Sequence, residues 1–246
     1  MNREPTSGAT ASRRTFLHAG GLAGLGFLAM AGNKPPGSPA RTTKPADQEK
    51  EEEEGVAPPE DLMREHGVLK RVMLVYEEAV RRIEGRRDLP PDSVRDGATI
   101  IRTFIEDYHE KLEEEHLFPR FEKAGKLTDL TAVLRAQHQA GRRVTEEITQ
   151  LATAAGLKDA SSAGRLKELM RQFVRMYGPH EAREDTVLFP ALRSIVSPHE
   201  FAALGEDFEK KEHQLFGAEG FERMVDRVAT IEKTLGIYDL GQFTPK

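Results

Sequence analysis

From residue 59 onward the apolar positions recur at helical spacing. Leu62, Leu69, Val72, Met73, Tyr76 and Val80 fall on one stripe, which predicts a helix over residues 59–85. Pro59-Glu60-Asp61 opens it and Gly85 stops it. Ile100, Ile101, Phe104, Ile105, Tyr108 and Leu112 mark a second helix over residues 92–118. Leu130, Val133, Leu134, Val144, Ile148 and Leu151 mark a third over residues 129–154. Leu166, Leu169, Met170, Phe173, Val174 and Tyr177 mark a fourth over residues 162–188. A bend is expected in it at Gly178-Pro179, because proline removes a backbone hydrogen bond and crowds the preceding turn. Two further helices are expected over residues 198–216 and 220–235, and no period-two alternation stands out. The pattern predicts an all-α fold. Short connections make it an antiparallel up-down four-helix bundle with one or two additional C-terminal helices.

Upstream the pattern changes. Residues 12–17 read SRRTFL, and small and apolar residues follow from Ala19 to Ala31. That run is short for a membrane span, which needs about 20 apolar residues. A basic pair, an apolar stretch and the small-residue site Ala29-Met30-Ala31 have the layout of an export signal. The paired arginines before Phe-Leu resemble the bacterial twin-arginine signal. The resemblance implies a signal peptide over residues 1–31 and a periplasmic or otherwise extracytoplasmic protein with no stable membrane span after signal removal. An uncleaved anchor is the alternative. His18 belongs to this segment and is set aside. Residues 32–58 are charged and proline-rich, with too few apolar groups to fold, and read as a disordered linker. Residues 59–246 form the helical domain.

Composition narrows the chemistry. Acids and bases are interspersed and the net charge is −5, which argues against nucleic acid as a partner, since that would call for a clustered basic face. There is no cysteine, so disulfides, thiolate sites and iron–sulfur clusters are excluded. Any metal must be held by histidine, carboxylate or backbone oxygen.

Such a set is written twice. His109-Glu-Lys-Leu-Glu113-Glu-Glu-His-Leu117-Phe118-Pro119 is followed 71 residues later by His180-Glu-Ala-Arg-Glu184-Asp-Thr-Val-Leu188-Phe189-Pro190. Upstream of each copy stands a single histidine, His66 and His138, each followed at the fifth and sixth positions by Arg-Val. His66 precedes His109 by 43 residues and His138 precedes His180 by 42. Residues four apart share a helix face, so His109 with Glu113, and His180 with Glu184, can serve one centre. His66 and His109 lie on the apolar stripes of their helices. One buried histidine is more often a core residue than a ligand, and one His-x-x-x-Glu pair is mostly a surface pair. Four histidines and two glutamates at repeated spacing are a different matter, because burying them unpaired costs several kcal/mol. Imidazole and carboxylate suit iron, manganese or zinc rather than calcium. Two carboxylates between two pairs of histidines suit two ions. Leu-Phe-Pro is read as the apolar end of the bundle followed by a helix stop.

On these motifs residues 61–196 resemble the hemerythrin-like family of HHE cation-binding helical bundles. The resemblance implies a non-haem diiron centre, oxo- or hydroxo-bridged, with His66, His109, Glu113, His138, His180 and Glu184 as metal ligands. It also implies small partners: O₂, NO or peroxide. The chain departs from the oxygen-carrying members, which place a second histidine one turn after the first on the third helix. Arg142 stands there instead and cannot ligate. The final carboxylate of those members falls at Asp185; Glu184 is preferred because it matches Glu113. What remains is similar to the iron-centre repair branch of the family. His116, three residues after Glu113, and His213 are candidate additional ligands.

Two functions compete. One is a binding protein that senses or stores O₂ or NO. The other is an enzyme, a diiron oxidase, peroxidase or iron-centre repair protein in stress defence, with a redox partner that the sequence does not name. A ferritin-like oxidase fits less well. Glu106-x-x-His109 and Glu113-x-x-His116 match its pattern, but Tyr177 and Val187 occupy the corresponding places in the second half. A metal-free structural bundle is the remaining possibility.

Overall fold

The computed structural model describes residues 57–245, and they are helical with no strand among them. The expected signal and most of the expected linker, residues 1–56, lie outside the described residues. Helix α1 spans Pro58–Glu84, with Pro58 at its first position and Glu60 and Asp61 in its first turn. Helix α2 is the unbroken stretch of residues 91–124. Helix α3 spans Thr128–Leu151, and α4 is the short Ala154–Lys158, capped by Thr153. Helix α5 is the unbroken stretch of residues 160–192, capped at its start by Asp159, whose carboxylate accepts from the Ser162 N–H at 2.8 Å. Helices α6, Pro198–Phe216, and α7, Gly220–Thr234, complete the set before a single 3₁₀ turn at Leu240–Phe243.

Four long helices form a closed ring of neighbours. α1 packs on α2 and α5, and α3 packs on the same two. α6 and α7 lie against α1, and α7 also covers α2. Arg71 on α1 grips Glu232 on α7 with a two-pronged ion pair, its Nε donating at 2.9 Å. The core is a stack of buried rings. Phe173 sits between Tyr76 at 5.4 Å edge-on and Tyr177 at 4.4 Å, and burying a ring of this size contributes roughly 1.5–3 kcal/mol. α6 is keyed in by Phe216, whose ring meets Phe104 and Tyr108.

One expectation is corrected. Pro119 and Pro190 do not stop their helices, which run on to Ala124 and Leu192. Each proline follows a wide π-helical segment, Glu113–Leu117 and Glu184–Leu188. There the N–H of Phe118 reaches back five residues to the Glu113 carbonyl, and that of Phe189 to the Glu184 carbonyl. The proline then sits in the first turn of a new α segment, where its missing N–H is not needed. The true stop of α2 is Gly125, in the left-handed conformation at φ 62°. Gly178-Pro179, the place of the expected bend, lies inside α5 as expected.

Candidate metal centre

Each long helix of the ring brings one histidine to the same depth. His66 comes from α1, His109 from α2, His138 from α3 and His180 from α5, and all four are buried. Glu113 and Glu184 lie one turn beyond the second and fourth, both fully buried. His66 and His109 pair with ring centroids 4.7 Å apart, and His138 and His180 with centroids 5.0 Å apart.

The two carboxylates link these pairs. Oε2 of Glu113 lies 3.4 Å from Nε2 of His138 and 3.8 Å from Nε2 of His109. Oε2 of Glu184 lies 3.4 Å from Nε2 of His66, and its Oε1 lies 3.1 Å from Nε2 of His180. Each glutamate thus faces one histidine of each pair. None of the four carboxylate oxygens accepts a hydrogen bond of normal geometry. Two ligands held about 2.1 Å from one ion sit roughly 3–3.5 Å apart, close to these separations. The donor set therefore fits metal cations, and His66, His109 and Glu113 form one group able to hold an ion, His138, His180 and Glu184 another.

The outer ring nitrogens explain why the inner ones face inward. Nδ1–H of His66 donates to Asp185 at 2.7 Å, and that of His109 to Glu65 at 2.8 Å. Nδ1–H of His138 donates to Glu114 at 3.1 Å, and that of His180 to the Gln137 carbonyl at 2.8 Å. Each partner oxygen accepts from Nδ1–H, so in the neutral ring the Nε2 lone pair is left for a ligand role. The second faces of two rings are covered by the phenylalanines of Leu-Phe-Pro. Phe189 stacks on His66 and Phe118 on His138, each at 5.5 Å. These phenylalanines do more than close an end of the bundle: they form the apolar walls of the site.

Crowding shifts the titrations. Burial holds His109 well below the ordinary histidine range, with the neighbouring His66 adding to it, and burial also lowers His138. At His66 burial acts downward too, but the Asp185 and Glu184 carboxylates overcome it and raise the ring to about 9. Burial, reinforced by the charge of Glu184, raises Glu113 well above the usual carboxylate range.

Arg142 occupies the place one turn after His138, and its Nη2 lies 2.8 Å from Glu110 and 2.9 Å from Glu114. Tyr177, whose ring lies 5.2 Å from that of His180, donates its hydroxyl to Glu110 at 2.6 Å. Gly141 makes room for it, since a Cβ there would stand 2.0 Å from the hydroxyl oxygen.

The structure brings together His66, His109, Glu113, His138, His180 and Glu184. It leaves two candidates outside: His116 packs its ring 5.6 Å from Phe208, and His213 is exposed beside Glu209 and Lys210. Glu65, Glu114, Gln137 and Asp185 were not anticipated in their orienting role. Their signal was present, since each directly precedes or follows one of the six residues in the chain.

Comparison with known proteins bears on the family of the chain. A family model described as the hemerythrin HHE cation-binding domain matches residues 57–176, which include His66, His109, Glu113 and His138. The uncharacterized proteins Rv1995 of Mycobacterium tuberculosis and Mb2018 of Mycobacterium bovis are each similar, at 49% identity over 243 residues, covering 98% of this chain and 93% of theirs. No solved structure matches the chain.

Proposed function

Because the chain belongs to one family with these mycobacterial proteins and carries a hemerythrin HHE cation-binding domain, we propose that its six inward-facing ligands hold a pair of iron ions. In this reading the ring of four helices is an antiparallel up-down bundle and the ions form a non-haem diiron centre. The observation that carries it is the placement of Glu113 and Glu184, each facing a histidine of both pairs. When bound, such a pair supplies reversible electron exchange with O₂, NO or peroxide. The protein's own residues do the rest. The Nδ1 partners fix the four rings, Phe118 and Phe189 exclude water from their faces, and Arg142 takes the place of a fifth ligand. The function we infer is binding or sensing of O₂ or NO, or handling of reactive oxygen and nitrogen species.

Turnover, as an oxidase, a peroxidase or an iron-centre repair enzyme, is favoured by one feature. Burial pushes Glu110 up to about 8, so beside the centre stands a carboxylic acid able to give a proton near neutral pH, with Tyr177 hydrogen-bonded to it. Among the described residues no helix is long and apolar enough to cross a membrane. The SRRTFL segment supports export of the folded protein by a twin-arginine route.

The deciding experiment is metal analysis of anaerobically purified protein beside the Glu113→Ala, Glu184→Ala double variant. Two irons per chain, lost in the variant, are expected, followed by spectral changes with O₂, NO or peroxide. Metal-free protein, or a single zinc indifferent to the variant, overturns the reading.

A further inference from the structure

We propose that the two ends of this centre are inequivalent and that the His66–His109 end takes up the first metal ion. The inference rests on the two-metal reading above. The six ligands are matched pairwise by the sequence repeat, but the groups behind them are not.

Behind His138 stands Glu114, whose carboxylate is already compensated by Lys111 at 2.7 Å and Arg142 at 2.9 Å. Behind His180 stands Gln137, a neutral amide. Behind His66 and His109 stand two carboxylates, Asp185 and Glu65, and Glu65 is fully buried. The break in symmetry comes down to one position. Glu65 precedes His66 as Gln137 precedes His138, so the same place in the repeat holds an acid in one half and its amide in the other. A carboxylate accepting from Nδ1–H pulls electron density toward Nε2 and makes the ring a stronger ligand than an amide does. It also adds negative charge to the end it serves. Both effects favour a cation at the His66–His109 end.

The test uses the full chain, freed of metal and titrated with Mn²⁺, followed by the loss of the free-ion paramagnetic resonance signal and by calorimetry. Two binding steps are expected, separated by about tenfold or more in affinity. Crystals grown with one equivalent of Mn²⁺ are expected to show anomalous scattering between His66 and His109. Glu65→Gln should weaken the first step by about 10- to 100-fold, and Gln137→Glu should strengthen the second. The double exchange keeps the net charge and should reverse the order of filling. Its melting temperature, measured without metal, confirms that the fold survives. Two equal steps in the wild type, a first ion at the His138–His180 end, or an order unmoved by the double exchange overturns the proposal and leaves the two-metal centre standing. One ion or none per chain overturns the two-metal reading, and this proposal with it.

Discussion

Asp185 holds His66 from behind, at 2.7 Å from its Nδ1, while the preceding residue, Glu184, faces the other ring nitrogen at 3.4 Å. Two successive residues of α5 thus serve opposite sides of one imidazole. If Asp185 orients the ring and Glu184 ligates, the two should separate on mutation. Asp185→Ala should lower metal affinity by about 10- to 100-fold while leaving the stoichiometry intact. Glu184→Ala should lower the stoichiometry itself. Calorimetric titration distinguishes the two, and an Asp185→Ala protein that binds as tightly as wild type would remove the orienting role.

Glu113 predicts a conflict between stability and function. Its carboxylate is fully buried without an aligned hydrogen bond, which costs about 1–3 kcal/mol. Glu113→Leu should therefore raise the melting temperature of metal-free protein while removing the stabilisation that metal gives the wild type. Thermal unfolding with and without a chelator measures both. A variant less stable than metal-free wild type would show that the carboxylate is satisfied in a way its geometry does not reveal.

Gly141 has little choice of replacement. Alanine is a better helix former by about 1 kcal/mol, but its methyl would stand 2.0 Å from the Tyr177 oxygen and 2.8 Å from the ring carbon bearing it. Gly141→Ala should destabilise by about 1–3 kcal/mol through overpacking. Tyr177→Phe should recover part of that loss, because the closest atom is gone. Denaturant unfolding of the two single variants and the double variant gives the coupling.

Far from the centre, Glu78 on α1 gathers Arg82 at 2.9 Å, Arg81 at 3.0 Å and Arg87 at 3.1 Å. Burial alone would raise this carboxyl, but hydrogen bonds from Arg82 and Arg81 and the charge of Arg87 prevail and hold it below its ordinary 4.5. The folded value is the lower one, so the stabilisation is present above pH 4.5 and is lost as pH falls through the folded value. Glu78→Gln should cost about 1–2 kcal/mol at pH 7, with solvent at the arginines limiting the effect, and progressively less below pH 4.5. Equal losses at pH 7 and pH 3 would place the effect in packing instead.

The long helices were legible because their apolar stripes are regular, and so was the meeting of four histidines and two glutamates, because it was repeated. Some details were not. Val133 falls on the apolar stripe of α3 by spacing, yet it is exposed, because that face of α3 has no helix against it. The short α4 carries too few apolar residues to show a period. Proline was read as a stop because a straight α-helix was assumed; the wider turn before it depends on hydrogen bonding that spacing does not encode. The acids beside Glu113 and Glu184 were visible, but a residue's neighbour in sequence points about 100° away on a helix, and only packing shows that it reaches the back of another helix's histidine.

The wide turns at residues 113–117 and 184–188 act as gear changes. Each takes up one residue more than an α turn would, so the segment beyond it is rotated by about 100° relative to the segment before. Without that offset, glutamate and phenylalanine in one helix would be phased by α geometry alone, and Phe118 and Phe189 would be turned away from the histidines they cover. Deleting Glu115 from the first turn, or Thr186 from the second, would leave the ligand half of the helix in phase and swing the wall half out of it. The centre would open on one side with all six of its ligands still in place.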